Sequence, residues 1–231
     1  PEAPCHNQPS WRPAAQQDVG SGSCIRLAKR NLDEHVKSKG HLNGRSQATK
    51  EMMTDVITDT GISGHSIVFT YTPAALKPTA ELVQNFEALV KGDVLAPAEV
   101  EQKLAKRFRL LGTQGLVGIA LAAIDMALWD ALARVHSMPL VRLLGGAAKP
   151  VRPYGAVGYD GVQGCANTAE GWATRGFTGV KAKIGYPTVQ EDVAVVRAMR
   201  KAAGNDMSIM VDYNQCLTPT EAVERLHVLD D

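Results

Sequence analysis

Cysteine is scarce and unpatterned in this chain. There are four in 231 residues, none in a CxxC or other metal-ligand spacing, which argues against a zinc-finger reading and, at this length, against a disulfide framework. No basic start followed by an apolar run opens the sequence, so no secretory leader is read and the cytoplasm is the expected compartment. Charge of one sign is missing too. A net of +1 supplies neither the basic field of a general nucleic-acid binder nor that of a membrane-surface protein, so neither partner is expected. The longest apolar stretch, Gly115 to Val135, is broken by Asp125, Asp130 and Arg134 and reads as a core helix, not a membrane span. What remains is an ordinary globular composition, 45% hydrophobic and 21% charged, in a length that holds one large domain or two small ones.

Composition is uneven along the chain. Residues 1–50 contain six large aliphatics (Val19, Ile25, Leu27, Leu32, Val36, Leu42) and no Phe, and carry a net of +4 against −3 for the remainder. Six in fifty falls below the roughly one-fifth at which chains struggle to build a core. Residues 1–51 are therefore expected to be an atypical, disordered segment. From Met52, Thr54 to Thr60 and His65 to Tyr71 read as strands around a Gly61–Gly64 turn. Helices are expected at Thr79 to Val90, Ala98 to Phe108 and Gly115 to His136, giving an α+β domain over residues 52–147.

From Pro150 the pattern becomes strand, helix, strand, helix, strand, helix. The strands are expected at Val151–Val157, Gly179–Ile184 and Ser208–Tyr213. Thr188 with Glu191, and Thr218 with Glu221, are capping boxes that open the second and third helices. The second helix is expected to bury Val189, Val193, Val196, Met199 and Ala203, the third Val223, Leu226 and Leu229. Repeated βα units imply a parallel sheet covered by helices. Residues 148–231 thus read as three βα units, too few for a doubly wound sheet or a closed (β/α)8 barrel.

Two of these strands carry the chemistry. Side chains alternate faces along a strand, so Lys181 and Lys183 point one way, as do Asp212 and Asn214, while Val180, Ala182, Ile184, Val211 and Tyr213 take the other side. Two amines, a carboxylate and an amide then share one face of one sheet. Such groups cost several kcal/mol in a core unless paired or used, about the penalty of an unpaired buried polar or charged group. A solvated lysine pair, a structural acid and a turn-forming asparagine remain the bland readings of the same residues.

Residues 52–231 resemble the enolase superfamily, and within it the mandelate racemase subgroup. The likeness is carried by Gly64-His65-Ser66, Tyr71-Thr72-Pro73, Ala105 to Phe108, Ile124 to Ala131, Pro139-Leu140, Leu143 to Gly145, Val180 to Pro187 and Met210 to Gln215. The tracts from Lys181 to Pro187 and from Met210 to Gln215 look closer to mandelate racemase itself than to the sugar-acid dehydratases. The resemblance implies an α+β capping domain followed by an incomplete (β/α)8 barrel, a site at the carboxyl ends of the strands, and a homo-oligomer at full length. It implies Mg²⁺-dependent removal of the α-proton of a 2-hydroxy carboxylate through an enediolate. Enolase-superfamily sites are a worked case of a Lys or His base acting with Mg²⁺. On this mapping Lys183 is a base, Lys181 contacts the substrate carboxylate, Asp212 is the first of three carboxylate ligands to Mg²⁺, and Asn214 is a nearby substrate contact.

Departures from the pattern limit what carries over. The other two metal carboxylates and the opposed His with its Asp partner have no counterpart here, residues 1–50 do not resemble the family's opening strand, and Ala156 stands where a substrate-contacting serine is found. The chain alone is therefore expected to be inactive. Dehydration of a sugar acid, a Schiff-base lysine and a non-catalytic fragment of a disrupted gene stay open.

Overall fold

The computed structural model describes residues 25–31 and 51–230. The chain divides into two compact units, residues 1–148 and 149–231.

The first unit is an antiparallel meander with three main helices. Strands β1 (Ile25–Asn31), β2 (Glu51–Thr58) and β3 (Ser63–Phe69) lie in that order. The register sets Ile25 opposite Thr58 and Asn31 opposite Met52, then Met52 opposite Val68. The expectation of disorder over residues 1–51 is therefore wrong at Ile25–Asn31. A composition averaged over fifty residues conceals a seven-residue strand, and a basic residue such as the exposed Arg26 is usual on an edge strand, where it deters further pairing. Glu51, the last residue of that segment, opens β2, and residues 1–24 and 32–50 lie outside the described ones.

Helices α1 (Pro73–Val90) and α3 (Gly115–Val135) pack on the sheet, α2 (Pro97–Arg107) packs against α3, and a single turn, α4 (Leu140–Leu143), follows. Helix α1 starts at Pro73, earlier than the expected Thr79, with Pro78 inside it. Proline suits a first helical position, where its missing N–H has no partner to lose, and here Pro73 takes that place. Helix α3 is long and apolar enough to cross a membrane, yet Ala120, Ala123, Ile124, Ala127, Leu128 and Ala131 are buried in this unit's core. Its alanines permit close approach. Gly64 of β3 is pressed against the helix backbone at Ala127 and Ala131, Ser66 Oγ donates to Ala123 O at 2.5 Å, and Asp130 accepts the His65 N–H at 2.8 Å. Asp130 is thus a packing acid.

The second unit is a parallel sheet of β4 (Gly155–Val157), β5 (Gly179–Lys183) and β6 (Ser208–Asp212), in that order, each strand followed by a helix: α5 (Gly161–Thr174), α6 (Val189–Ala203) and α7 (Pro219–Asp230). This is an incomplete (β/α)8 barrel after an α+β domain. Strand β4 is shorter than the expected Val151–Val157, which contains Pro153, a residue that cannot donate to a ladder. At Gly155 the missing side chain makes room for Trp172, whose Nε1 donates to Ala156 O at 2.9 Å. The core gathers Val157, Cys165, Ala169, Val180, Ala182, Ile184, Val195, Met199 and Met207.

Both capping boxes are present: Thr188 N donates to Glu191 Oε2 at 2.9 Å, and Thr218 N donates to Glu221 Oε2 at 2.8 Å. The buried face of α6, however, is Asp192, Val195 and Met199, so the expected stripe is rotated by about one residue, with Met199 and the partly buried Ala203 held in common. Arg200 caps its own helix by donating to Gly204 O, Asn205 O and Met207 O. On α7, Val223 and Leu226 are 55% and 57% exposed and only Leu229 packs on the core. The other two stay more than half exposed at the edge of a groove shared with Val196, Ile209 and Val211, so the expected packing face is not buried there.

Candidate active site

The site is built by register. Parallel pairing sets Ala156 beside Lys181 and Lys183 beside Asp212, so their side chains rise from one face at the carboxyl ends of the strands. The opposite face holds Val180 and Ala182, which are fully buried and anchor β5. Lys183 Nζ donates to Asp212 Oδ2 at 2.5 Å and to Asn214 Oδ1 at 2.7 Å. Lys181 Nζ stands 3.2 Å from the same Oδ2. Both amines therefore share one oxygen, while Oδ1 accepts the Asn214 N–H at 2.8 Å. The structure brings together all four residues singled out in the sequence. Their setting is a partly open sheet face: the side chains of Lys181, Lys183 and Asp212 are 32%, 38% and 26% exposed.

Electrostatics follow from these contacts. Asp212 is held well below the usual carboxylate range, first by the Lys183 hydrogen bond, then by the Asn214 N–H and Lys181. Lys181 is pushed above the ordinary lysine value by hydrogen bonds to Asp212 and Tyr154. A second ammonium nearby favours deprotonation; for Lys181 the shared carboxylate outweighs it. Past β6 the chain turns sharply. Asn214 and Gln215 have φ of 49° and 62°, a left-handed conformation that a non-glycine residue keeps only where its surroundings hold it.

Two participants escaped the sequence reading. Tyr154, two residues before Ala156 and so on its face, sets its ring 5.4 Å from Lys181 Nζ; the same period-two rule would have found it. Asp192 lies on the buried face of α6 with no exposed side-chain surface. Its Oδ1 accepts the N–H groups of Gly185 and Tyr186, each at 2.9 Å. Its Oδ2 accepts the Tyr213 hydroxyl at 2.8 Å and the Arg225 guanidinium. Burial, followed by the hydrogen bond to Asp192, pushes the Tyr213 phenol up to about 12.

Residues 38–145 match the mandelate racemase / muconate lactonizing enzyme N-terminal domain, and residues 164–231 match the enolase C-terminal domain-like family. The chain belongs to the enolase superfamily. This match begins before Met52, so the family likeness reaches further toward the N-terminus than the motifs alone suggested. Among solved superfamily structures, an enolase from Bradyrhizobium complexed with magnesium and mandelic acid is 31% identical, with a TM-score of 0.76 over 92% of this chain and 60% of that one. Among curated superfamily relatives, arabinonate dehydratase of Saccharolobus solfataricus is 29% identical over 74% of this chain and 47% of its own length. D-galactarolactone cycloisomerase of Agrobacterium fabrum is 36% identical over 64% of this chain and 40% of its own. The chain spans about half the length of the curated relatives it matches.

Asp212 and Asn214 offer hard oxygens of the kind that Mg²⁺ accepts. Among the described residues no three His, Cys, Asp or Glu side chains gather as a metal site. Asp212 fits as one ligand, and its partners must come from elsewhere.

Proposed function

We propose that this chain contributes the Lys183 base and one metal-ligating carboxylate to an enzyme that removes the α-proton of a 2-hydroxy carboxylate, in the manner of mandelate racemase. The observation that carries this reading is the convergence of both amines on Asp212, at 2.5 Å and 3.2 Å. A C–H bond next to a carboxylate is very weakly acidic, so the pair of electrons it leaves must be stabilised on the carboxylate oxygens as an enediolate. Lys181, raised by Asp212 and Tyr154, stays an ammonium and suits that electrophilic role at the substrate carboxylate. Lys183, the base on the family resemblance, takes the proton at Nζ, and to do so it must first lose the proton that it donates to Asp212. Asn214 orients the substrate or the lysine through its amide. Asp212 would hold Mg²⁺, which when bound supplies positive charge to the same carboxylate oxygens.

One carboxylate does not complete such a site, so the 231-residue chain alone is expected to show no Mg²⁺-dependent exchange of the mandelate α-proton in D₂O. Joined to the remaining barrel of the Bradyrhizobium relative, it should exchange that proton, and Lys183→Ala should cut exchange by about 10²–10⁴-fold, the usual contribution of a general base. Undiminished exchange in Lys183→Ala would refute the assignment. The second reading is dehydration of a sugar acid, favoured by the likeness to arabinonate dehydratase and by Ala156 in place of the serine. It starts with the same proton removal but expels a β-hydroxyl, and release of a 2-keto acid from the fusion would select it.

A further inference from the structure

We infer that Asp192 is a positioning residue for the site: through Gly185, Tyr186 and Tyr213 it holds the ends of β5 and β6 in the relative position that brings Lys183 onto Asp212. The inference rests on the reading of Lys183 and Asp212 as the reacting pair. A carboxylate without exposed surface is costly unless its oxygens are satisfied, and Asp192 has four donors on two oxygens. Those donors are not scattered. Two are backbone N–H groups just beyond Lys183, one is the side chain of the residue between Asp212 and Asn214, and the fourth comes from α7. One buried charge therefore ties the loop that leaves β5 to the turn that leaves β6.

The position of Asp192 in the first turns of α6, after the Thr188 cap, adds the favourable field of a helix N-terminus. Strand pairing runs as far as Lys183 and Asp212, with one further backbone bond from Ile184 N to Asp212 O at 3.3 Å. The left-handed turn at Asn214 and Gln215 lies past them, and the Tyr213 anchor holds its first side chain down. Arg225 completes the tie by also donating to Tyr186 O at 3.1 Å.

The test uses the 231-residue chain without substrate or metal, with the ¹⁵N signals of its lysine ammonium groups as the probe. A lysine ammonium held in an ion pair is protected from exchange with water, and a freely solvated one is not. Asp192→Asn keeps the Oδ1 acceptor but turns an amide donor toward Arg225, which has no acceptor to offer. The fold monitored by circular dichroism should persist while the Lys183 ammonium signal is lost. Adding Arg225→Gln, which can accept from that amide, should bring the signal back. If Asp192→Asn does not fold, Tyr213→Phe decides: it removes one of the four bonds, and water exchange at Lys183 should then quicken about tenfold or more, in line with other supporting residues one step from a ligand. An unchanged Lys183 signal in folded Asp192→Asn, or in Tyr213→Phe, would overturn the inference. Because no turnover is measured, that result is separate from failure of the proton-abstraction reading, which the fusion enzyme tests.

Discussion

Replacing Gly64 with alanine isolates the cost of bringing a strand against a helix backbone. The backbone of Gly64 is not in the left-handed region, so its substitution is a matter of space. A methyl group there would come within 2.7 Å of Ala131 Cα and closer still to Ala127 O and Ala131 N. These are backbone atoms, and no rotamer change relieves the clash. Helix α3 has to retreat from β3, which stretches the bonds from Ser66 Oγ to Ala123 O and from His65 N to Asp130. Overpacking of this kind costs about 1–3 kcal/mol, and two hydrogen bonds add about 1 kcal/mol each. Losing glycine's extra freedom in the unfolded chain returns about 0.5–1 kcal/mol. The net expectation is a destabilisation of roughly 2–4 kcal/mol from the same quantities. Urea unfolding followed by circular dichroism measures it. Gly171→Ala, on α5 with nothing within 4 Å of the added carbon, is the control and should stabilise by about 0.5–1 kcal/mol. A Gly64→Ala chain as stable as the parent, with an unchanged denaturant slope, would refute the close-approach argument.

Met199 has no exposed surface in the second unit's core, so Met199→Ala should cost about 2–5 kcal/mol; urea unfolding showing less than about 1 kcal/mol would mean that the site collapses freely. The lowered Asp212 carboxyl has a definite pH consequence. Its contribution to folding is present above the unfolded value of about 3.9 and is lost only as pH falls through the lower folded value. Its carboxyl carbon should therefore show no titration near pH 4 by NMR, and a midpoint there would contradict the double lysine contact. Tyr213 should be among the last tyrosines to ionise, near the value of about 12, with stability falling as pH rises from about 10, the ordinary phenol value, toward it. Spectrophotometric titration against Tyr213→Phe, if it removed a phenol ionising near 10, would count against its burial beside Asp192.

Much of the site was legible because a strand repeats every two residues. That arithmetic places Lys181, Lys183, Asp212 and Asn214 on one face without any tertiary information, and it extends to Tyr154 once β4 is placed. The capping boxes at Thr188 and Thr218 were legible for a similar reason, being local. Asp192 was not, since its four donors lie between 6 and 33 residues away and an acid within an apolar helix is ordinarily assigned to the solvent side. The same assumption rotated the α6 stripe away from its actual buried face. Strand β1 escaped because its partner β2 is needed to make it a strand at all. Val223 and Leu226 have helical spacing, but periodicity says which residues share a face and not whether anything lies against it.

The sharing of Asp212 Oδ2 by both lysines couples three side chains through a single atom. A carboxamide at position 212 would take the negative charge from both amines at once, so neither can be retuned through that residue without disturbing the other. A descendant of this protein with different chemistry would have to replace the trio as a block, or else recruit a new anion before surrendering the old one.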